Sequence, residues 1–468
     1  MSRSNFWLLI LGIASTFGYA AAYALGDLRQ NTLGFVIIFF TLFLFYLTAC
    51  ALILRPTFQV SKFTFYTIAI FAIIPRLLLL PTRPTLSDDM FRYVWDGRVQ
   101  GHGFSPYRYP PEAKEVTALR MGDTAVWKYI NRKPFVTIYP PGAQIAFAAI
   151  WRIVGDSVTG FKAAFVFAEL AGALLLIQLL RALHQPAARV LIYLWSPLLI
   201  FEVAHAGHVD GLILPLLILT FWARVKERHW LLGAALALAT LVKLLPLILL
   251  PALLPLPETM GVSGVPSTHD FPSLKPALKT MIAFGFTIAL GYLPYNISGD
   301  AIGFLPRYFN ENFNMGIARL LFDFAKANGL SGPTLANVLT FGGLAGLSIL
   351  FILKPAADPL RRCVWLIGWF TLFTQNLFAW YLLWLLPLIA VLINPGKLFG
   401  FRLAPMTAWL IFSGTIALSY IFFIKWRVND FAQVLEFAPL YVVLLASGVR
   451  QLRLAMPWSR ARTAAQES

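Results

Sequence analysis

TLGFVIIFFTLFLFYLTACALIL, residues 32–54, is a run of 23 residues without one charged side chain. An α-helix rises about 1.5 Å per residue, so a run of this length crosses a hydrocarbon core about 30 Å thick. Comparable apolar runs cover approximately 5–25, 63–81, 161–181, 188–204, 208–224, 229–245, 246–257, 277–296, 332–354, 361–377, 378–394, 403–424 and 432–450. Strands of a membrane β-barrel alternate lipid-facing with lumen-facing residues and give no such runs. The expected fold is therefore an all-α polytopic integral membrane protein with about 13–14 transmembrane helices.

Composition agrees. The chain is 59% hydrophobic and 13% charged, where soluble domains carry about 25% charged residues. No soluble stretch is long enough for a second domain, so residues 1–468 are expected to form a single membrane domain. The net charge of +17 could suggest nucleic acid, but the basic residues gather in short connections between spans. These are Arg55 and Lys62; Arg181 and Arg189; Arg224, Lys226 and Arg228; Lys354, Arg361 and Arg362; Lys397 and Arg402; and the tail from Arg450 to Arg462, in which 451–468 is read as a cytoplasmic basic segment. With the N-terminus inside, every cluster falls on the cytoplasmic side, which is the positive-inside pattern rather than a nucleic-acid footprint. Cys50 and Cys363 lie in or beside apolar runs, with neither disulfide nor metal spacing. The apolar start of the chain lacks a clear small-residue cleavage site and is read as the first span.

Two assignments need argument. The run 140–154 is short and opens on Pro140-Pro141, so it is read as a juxtamembrane or re-entrant segment. The run 229–257 is too long for one span and holds Pro246, Pro251, Pro255 and Pro257, so it is split near Pro246. On this topology the outer face carries two long polar segments, 82–160 and 297–331, and shorter turns at His205–Gly211 and Asn376–Tyr381.

The 82–160 loop opens with Ser87-Asp88-Asp89-Met90-Phe91-Arg92-Tyr93-Val94-Trp95. Carboxylates at a bilayer surface are costly unless solvated, paired or used. Asp88 or Asp89 could accept a proton from an attacking hydroxyl; the plainer alternative is that Asp88 caps a helix. Arg92 shares a helical face with both, as a substrate contact or an ion-pair partner. His205, His208 and Asp210 fall within six residues, awkwardly for metal ligation, and polar contacts to a sugar or phosphate suit them better. Lys243 lies in an apolar run, where an ionisable residue is a functional candidate. Arg307 and Arg319 flank the Asn-rich stretch holding Asn310 and Asn314, and arginine matches phosphate geometry. Trp380 and Tyr381 could stack on a sugar or belong to an interfacial aromatic belt. No Walker or dinucleotide-binding fingerprint is present, so nucleotide use is not supported.

Asp88-Asp89, Gly103-Phe104-Ser105-Pro106-Tyr107, Tyr109-Pro110-Pro111, Tyr139-Pro140-Pro141, Trp195-Ser196-Pro197, His205 to Gly211 and Lys243-Leu244-Leu245-Pro246, in that order, resemble the first half of GT-C class glycosyltransferases that use polyprenol-phosphate-mannose. The resemblance covers about the first 260 residues. It implies a membrane enzyme with a lipid-linked sugar donor, an outer-side active site and an acidic residue of the first loop as base. It adds Tyr93, Tyr107 and Tyr139 to the expected substrate contacts. The adjacent Asp-Asp here differs from the separated Asp-x-Asp of some relatives and leaves both Asp88 and Asp89 open as the base.

The expected reaction is an inverting transfer of a hexose, as mannose, from a polyprenyl phosphate to a hydroxyl of a glycolipid, glycan or protein. No cofactor or divalent metal is expected, because fixed cations can meet the departing phosphate. The expected location is a bacterial cytoplasmic membrane, with the site on the periplasmic side, both termini cytoplasmic and a role in cell-envelope glycan synthesis. The rival reading is a transporter or flippase of a lipid-linked sugar, favoured by Lys243 near Pro246 and opposed by the absence of an inverted repeat. A structural subunit without chemistry is a third.

Overall fold

The computed structural model of the chain describes residues 2–121, 125–257, 273–295, 311–354, 358–395 and 404–455, and among these it is helical without a β-strand. Helices α1 (Arg3–Ala24), α2 (Thr32–Ile53) and α3 (Lys62–Leu79) pack together at the start of the chain. Ser61 and Thr64 form a reciprocal capping box that starts α3. The long loop then folds into α4 (Asp89–Gly101), the single turn α5 (Val126–Tyr129) and α6 (Pro141–Val154). The chain re-enters the bundle through α7 (Val158–Ala182).

Next come α8 (Val190–Leu194) and α9 (Pro197–Ile200), which continues into a π-turn at Phe201–His205; the two arms are bent by 56°. α10 (Asp210–Val225) and α11 (His229–Val242) follow, then α12 (Leu250–Leu253) and α13 (Lys275–Tyr292). The remainder comprises α14 (Ile317–Ala327), α15 (Gly332–Leu353), α16 (Pro359–Phe373), α17 (Leu385–Leu392), α18 (Pro405–Thr415), α19 (Phe422–Lys425) and α20 (Asp430–Ala455).

Among the described residues seven helices are long and apolar enough to cross a membrane, or eight if the bent pair is one span. The other apolar runs expected as spans do not all meet that test. Several of the apolar runs form short or broken helices instead, and proline accounts for the clearest case. Proline at one position clashes with the carbonyl four residues before it. Pro246 therefore ends α11 at Val242, and Lys243 takes an extended backbone before a 3-10 turn at Leu245–Leu249. The break comes three residues before the proline itself, and it frees Lys243 from the helix surface.

Charges inside the bundle are satisfied locally, as a hydrocarbon surround requires. Arg76 of α3 forms a two-pronged ion pair with Glu169 of α7, at 2.6 and 3.1 Å. Lys162 donates to the carbonyls of Leu79, Thr82 and His205. None of Arg76, Glu169 and Lys162 stands out in the sequence.

α4 is carried by α6. A methyl group added at Gly97 would lie 2.7 Å from the carbonyl oxygen of Phe147 and 2.8 Å from Cβ of Trp151. Gly97→Ala is therefore expected to force α4 off α6, at a cost of about 1–3 kcal/mol. A lowered apparent melting temperature of the detergent-purified variant is the predicted result, and an unchanged one would contradict this packing.

Candidate active site

The start of α4 sets two neighbouring carboxylates in different surroundings. Asp88 occupies the N-cap position, but its side chain makes no capping bond. It instead accepts from Arg29, with Nη2 3.0 Å from Oδ1 and Nη1 3.4 Å from Oδ2. Arg29 is held in turn by the Thr85 carbonyl at 2.7 Å and lies over the Phe423 and Trp426 rings. The backbone N–H of Asp89 donates to Ser87 Oγ at 3.3 Å.

Asp89 faces the other way. Its Oδ1 accepts from Asn131 Nδ2 at 2.7 Å, and its Oδ2 lies 3.9 Å from His208 Nδ1. Burial pushes the Asp89 carboxyl above its ordinary pKa; the Asn131 bond and the Lys243 charge oppose this, and the neighbouring Asp88 adds to it. Behind it, His208 Nε2 lies 3.3 Å from Glu202 Oε2, and the Glu202 Oε1 accepts from the Tyr420 hydroxyl. The π-turn at Phe201–His205 is what aims Glu202 at this point.

A second layer is built on Asp210, which is fully buried. Lys243 Nζ lies 3.1 and 3.2 Å from its two oxygens, and Trp384 Nε1 donates to it at 2.9 Å. The ammonium also sits 4.5 Å from the centre of the Tyr381 ring.

Asp88, Asp89 and Lys243 among these groups border a cavity of about 1040 Å3. Arg29, Asp88, Asp89, Asn131, Arg132 and Lys243 supply charged and amide groups to its lining. Leu244, Leu247, Ile248, Phe341 and Phe370 make an apolar wall. Leu247 and Phe341 are 46% and 44% exposed. On another side, Arg132 pairs with Glu311. Among the described residues no group of three His, Cys, Asp or Glu side chains is arranged to hold a metal ion.

Residues 16–257, a little over half the chain, match the model of the MptA_B family, alpha-(1->6)-mannopyranosyltransferase, N-terminal domain. The chain belongs to this family. It is thereby a glycosyltransferase, and the polytopic α-helical fold expected of such an enzyme is the one observed. A search of curated proteins found no match. The matched region contains Arg29, Asp88, Asp89, Asn131, His208, Asp210 and Lys243, whereas Asn376, Trp380 and Tyr381 lie beyond it.

Of the residues named from the glycosyltransferase's sequence, Asp88, Asp89, Arg92, Tyr93, Tyr139, Lys243, Trp380 and Tyr381 line the cavity. Arg92 does not pair with Asp88 or Asp89 as its spacing allowed; it bonds Asp96 at 2.8 Å and the Phe135 carbonyl at 3.0 Å. Tyr107 lies outside the lining and donates to the Tyr139 carbonyl at 2.6 Å, holding that turn. His205 is bound to Thr82 and Thr85, both at 2.9 Å, and anchors the loop entrance. His208 and Asp210 support the lining from behind.

Asn314 is apart from the cavity, donating to Glu436 at 2.7 Å. Arg319 is exposed on α14 beside Asp323 and Asp430. Arg307 and Asn310 lie outside the described residues. Sequence reasoning missed Arg29, Asn131, Arg132, Asn376 and Tyr420. Arg29 carried a signal: it is a basic residue in the connection opposite the basic clusters, against the positive-inside pattern.

Removing one partner of a buried ion pair strands the other, at a cost of about 3–5 kcal/mol. Lys243→Met should therefore lower the melting temperature of the glycosyltransferase sharply. Adding Asp210→Asn should restore much of that loss in the same thermal assay.

Proposed function

We propose that this glycosyltransferase moves a mannosyl group from a polyprenyl phosphate to an acceptor hydroxyl in a single inverting displacement. The observation that carries the reading is the double character of the cavity lining. Carboxylates, cations and amides line it together with a set of apolar side chains. A donor with a charged, hydroxylated head and a hydrocarbon tail fits that division, whereas a soluble sugar nucleotide leaves the wall unused.

The acceptor oxygen attacks C1 of the sugar as Asp89 takes its proton. The bond between C1 and the phosphate oxygen breaks, and polyprenyl phosphate departs with the electron pair through an oxocarbenium-like state. Lys243, Arg132 and Arg92 border the space where the phosphate charge develops, so that charge meets fixed cations and no metal is required. Asp89 suits the base better than Asp88 for two reasons. Asp88 is held on both oxygens by Arg29, and burial raises the basicity of Asp89 toward that of an effective proton acceptor.

Arg55 and Lys62 follow α2 at the end away from Arg29, and Arg224, Lys226 and Arg228 follow α10 at the end away from Asp210, which supports cytoplasmic termini and a site on the outer, periplasmic face. Lys243, the feature that favoured a transporter, is a member of a buried ion pair at the cavity edge, not a lone midplane charge. The transferase reading uses the adjacent carboxylates as well.

Two outcomes follow. Asp89→Asn should lower kcat by roughly 10²–10⁴ in transfer of radiolabelled mannose from polyprenyl-phosphate-mannose by protein in lipid. Asp88→Asn should cost less; a silent Asp89→Asn with an inactive Asp88→Asn would reverse the assignment. The second concerns pH. A base works deprotonated, so activity is present above the Asp89 pKa and lost as pH falls through it. Because that pKa is raised, the acid limb should lie above the ordinary aspartate value of about 3.9. Asn131→Leu removes a bond that favours the charged form, so the limb should move to still higher pH in a pH–rate profile.

A further inference from the structure

A second cavity, of about 720 Å3, lies beside the first, and Arg29, Asp88, Phe423 and Trp426 line both. Its volume is in the range of small-molecule sites, about 300–1,000 Å3. The mechanism above does not use it. Asp27, Arg83 and Lys128 add to Arg29 and Asp88, so the lining holds three cations and two carboxylates.

The connection between α1 and α2 is fixed before any ligand arrives. Asp27 Oδ1 accepts from the backbone N–H groups of Arg29 and Gln30 at 3.0 and 3.2 Å, and Leu28 N–H donates to Thr85 Oγ1 at 3.2 Å. Arg83 Nη2 donates to Asp27 Oδ2 at 2.6 Å, and Arg83 also donates to the Tyr129 hydroxyl. These groups keep open surface all the same. The side chains of Asp27, Arg29, Arg83 and Asp88 are between 21% and 44% exposed. Lys128 is exposed, with its ammonium 5.3 Å from the centre of the Tyr129 ring. A carboxylate accepts about four hydrogen bonds and a guanidinium donates about five, so each ion pair leaves capacity for a ligand.

This chemistry separates the ligand classes. A hydrocarbon chain offers nothing to the charged groups. A polyanion meets two carboxylates. Sugar hydroxyls donate to Asp27 and Asp88 and accept from Arg29, Arg83 and Lys128. Trp426, 62% exposed, adds ring surface for the C–H side of a pyranose. The position also agrees with the reaction. In an inverting displacement the nucleophile and the leaving group are on opposite faces of the sugar. Lys243, Arg132 and Arg92, assigned to the departing phosphate, do not line the second cavity, whereas Asp88, the neighbour of the base, does.

We propose that the second cavity is the subsite of a saccharide acceptor. It holds the sugar units next to the one whose hydroxyl is attacked, and that unit reaches past Asp88 to Asp89. This rests on the transferase reading given above. A free glycan and one carried on lipid share this chemistry, and the test separates them.

Transfer of radiolabelled mannose from polyprenyl-phosphate-mannose is measured to methyl mannoside, mannotriose and octyl mannotrioside, for wild type, Lys128→Gln, Gln30→Ala and Arg83→Gln. The first two variants leave the Arg83–Asp27 pair in place, which covers a loss of fold in Arg83→Gln. Wild-type kcat/KM should be roughly 10-fold higher for mannotriose than for methyl mannoside, as for about one hydrogen bond to a charged group. That ratio should fall toward unity in Lys128→Gln and Arg83→Gln and fall in part in Gln30→Ala. Without donor, mannotriose should raise the melting temperature of wild type more than that of the variants. Octyl mannotrioside better than mannotriose makes the acceptor a lipid-carried glycan, and no better makes it a free one; both keep the subsite.

A wild-type ratio of unity, or a ratio unchanged in all three variants, would overturn the proposal and leave the donor reading intact. No transfer from the polyprenyl donor, with mannotriose still stabilising wild type more than the variants, would remove the donor reading and keep the subsite. Neither transfer nor stabilisation would remove both.

Discussion

The ion pair between Lys243 and Asp210 is the contact on which the rest of the site depends. Two charges taken from water recover their solvation loss only with good geometry and further hydrogen bonds. Both are supplied here: two close oxygens for the ammonium, an indole N–H for the carboxylate and a ring face for the remaining surface of Lys243. Meeting those demands brings together the start of α10, the break after α11 and the 3-10 turn at Ala379–Trp384. Pro246 is needed for it, since an unbroken α11 would carry Lys243 around the helix. The pair also joins the family-matched part of the chain to the part beyond the match, because Trp384 and Tyr381 come from the latter.

From that anchor the differing chemistry of two adjacent aspartates follows. Successive residues at a helix start point in different directions. Asp88 is turned toward the α1–α2 connection and meets Arg29; Asp89 is turned inward and meets Asn131, with His208 and Glu202 behind it. A guanidinium on both oxygens occupies lone pairs that an incoming proton would need. A single amide bond in a partly buried setting leaves one oxygen available and the carboxylate more basic. Separation of roles between neighbouring acids is set by environment rather than by residue type.

The sequence made the all-α membrane class legible, because hydrocarbon thickness and helix rise are fixed lengths and the apolar runs meet them. The loop at Ser87–Gly97 was legible too, since polar groups at a span exit stand out against apolar surroundings. The split of the 229–257 run was readable from Pro246, although the backbone breaks at Lys243, just after the Val242 carbonyl that the proline clash reaches. What could not be read was pairing across distance. Arg76 with Glu169, Arg29 with Asp88 and Asn131 with Asp89 join positions separated by 93, 59 and 42 residues. No local periodicity records such partners. The partner of Arg92 was open for a different reason: helical spacing allowed Asp88, Asp89 and Asp96 alike, and Arg92 bonds Asp96.

The aromatic residues after Asn376 show how burial changes the meaning of a motif. Trp and Tyr near a span end are expected at the membrane–water interface, with the ring in the headgroup layer. Here Trp384 is fully buried and Tyr381 is 7% exposed. Trp384 spends its N–H on Asp210, and Tyr381 covers Lys243, so neither ring is free to face lipid. Trp380 is fixed between His208 and Phe378. A belt residue needs a wet polar tip and an apolar body in acyl chains; these rings have protein on both sides. Trp380 and Tyr381 border the same cavity as Asp89, which comes from the family-matched part of the chain.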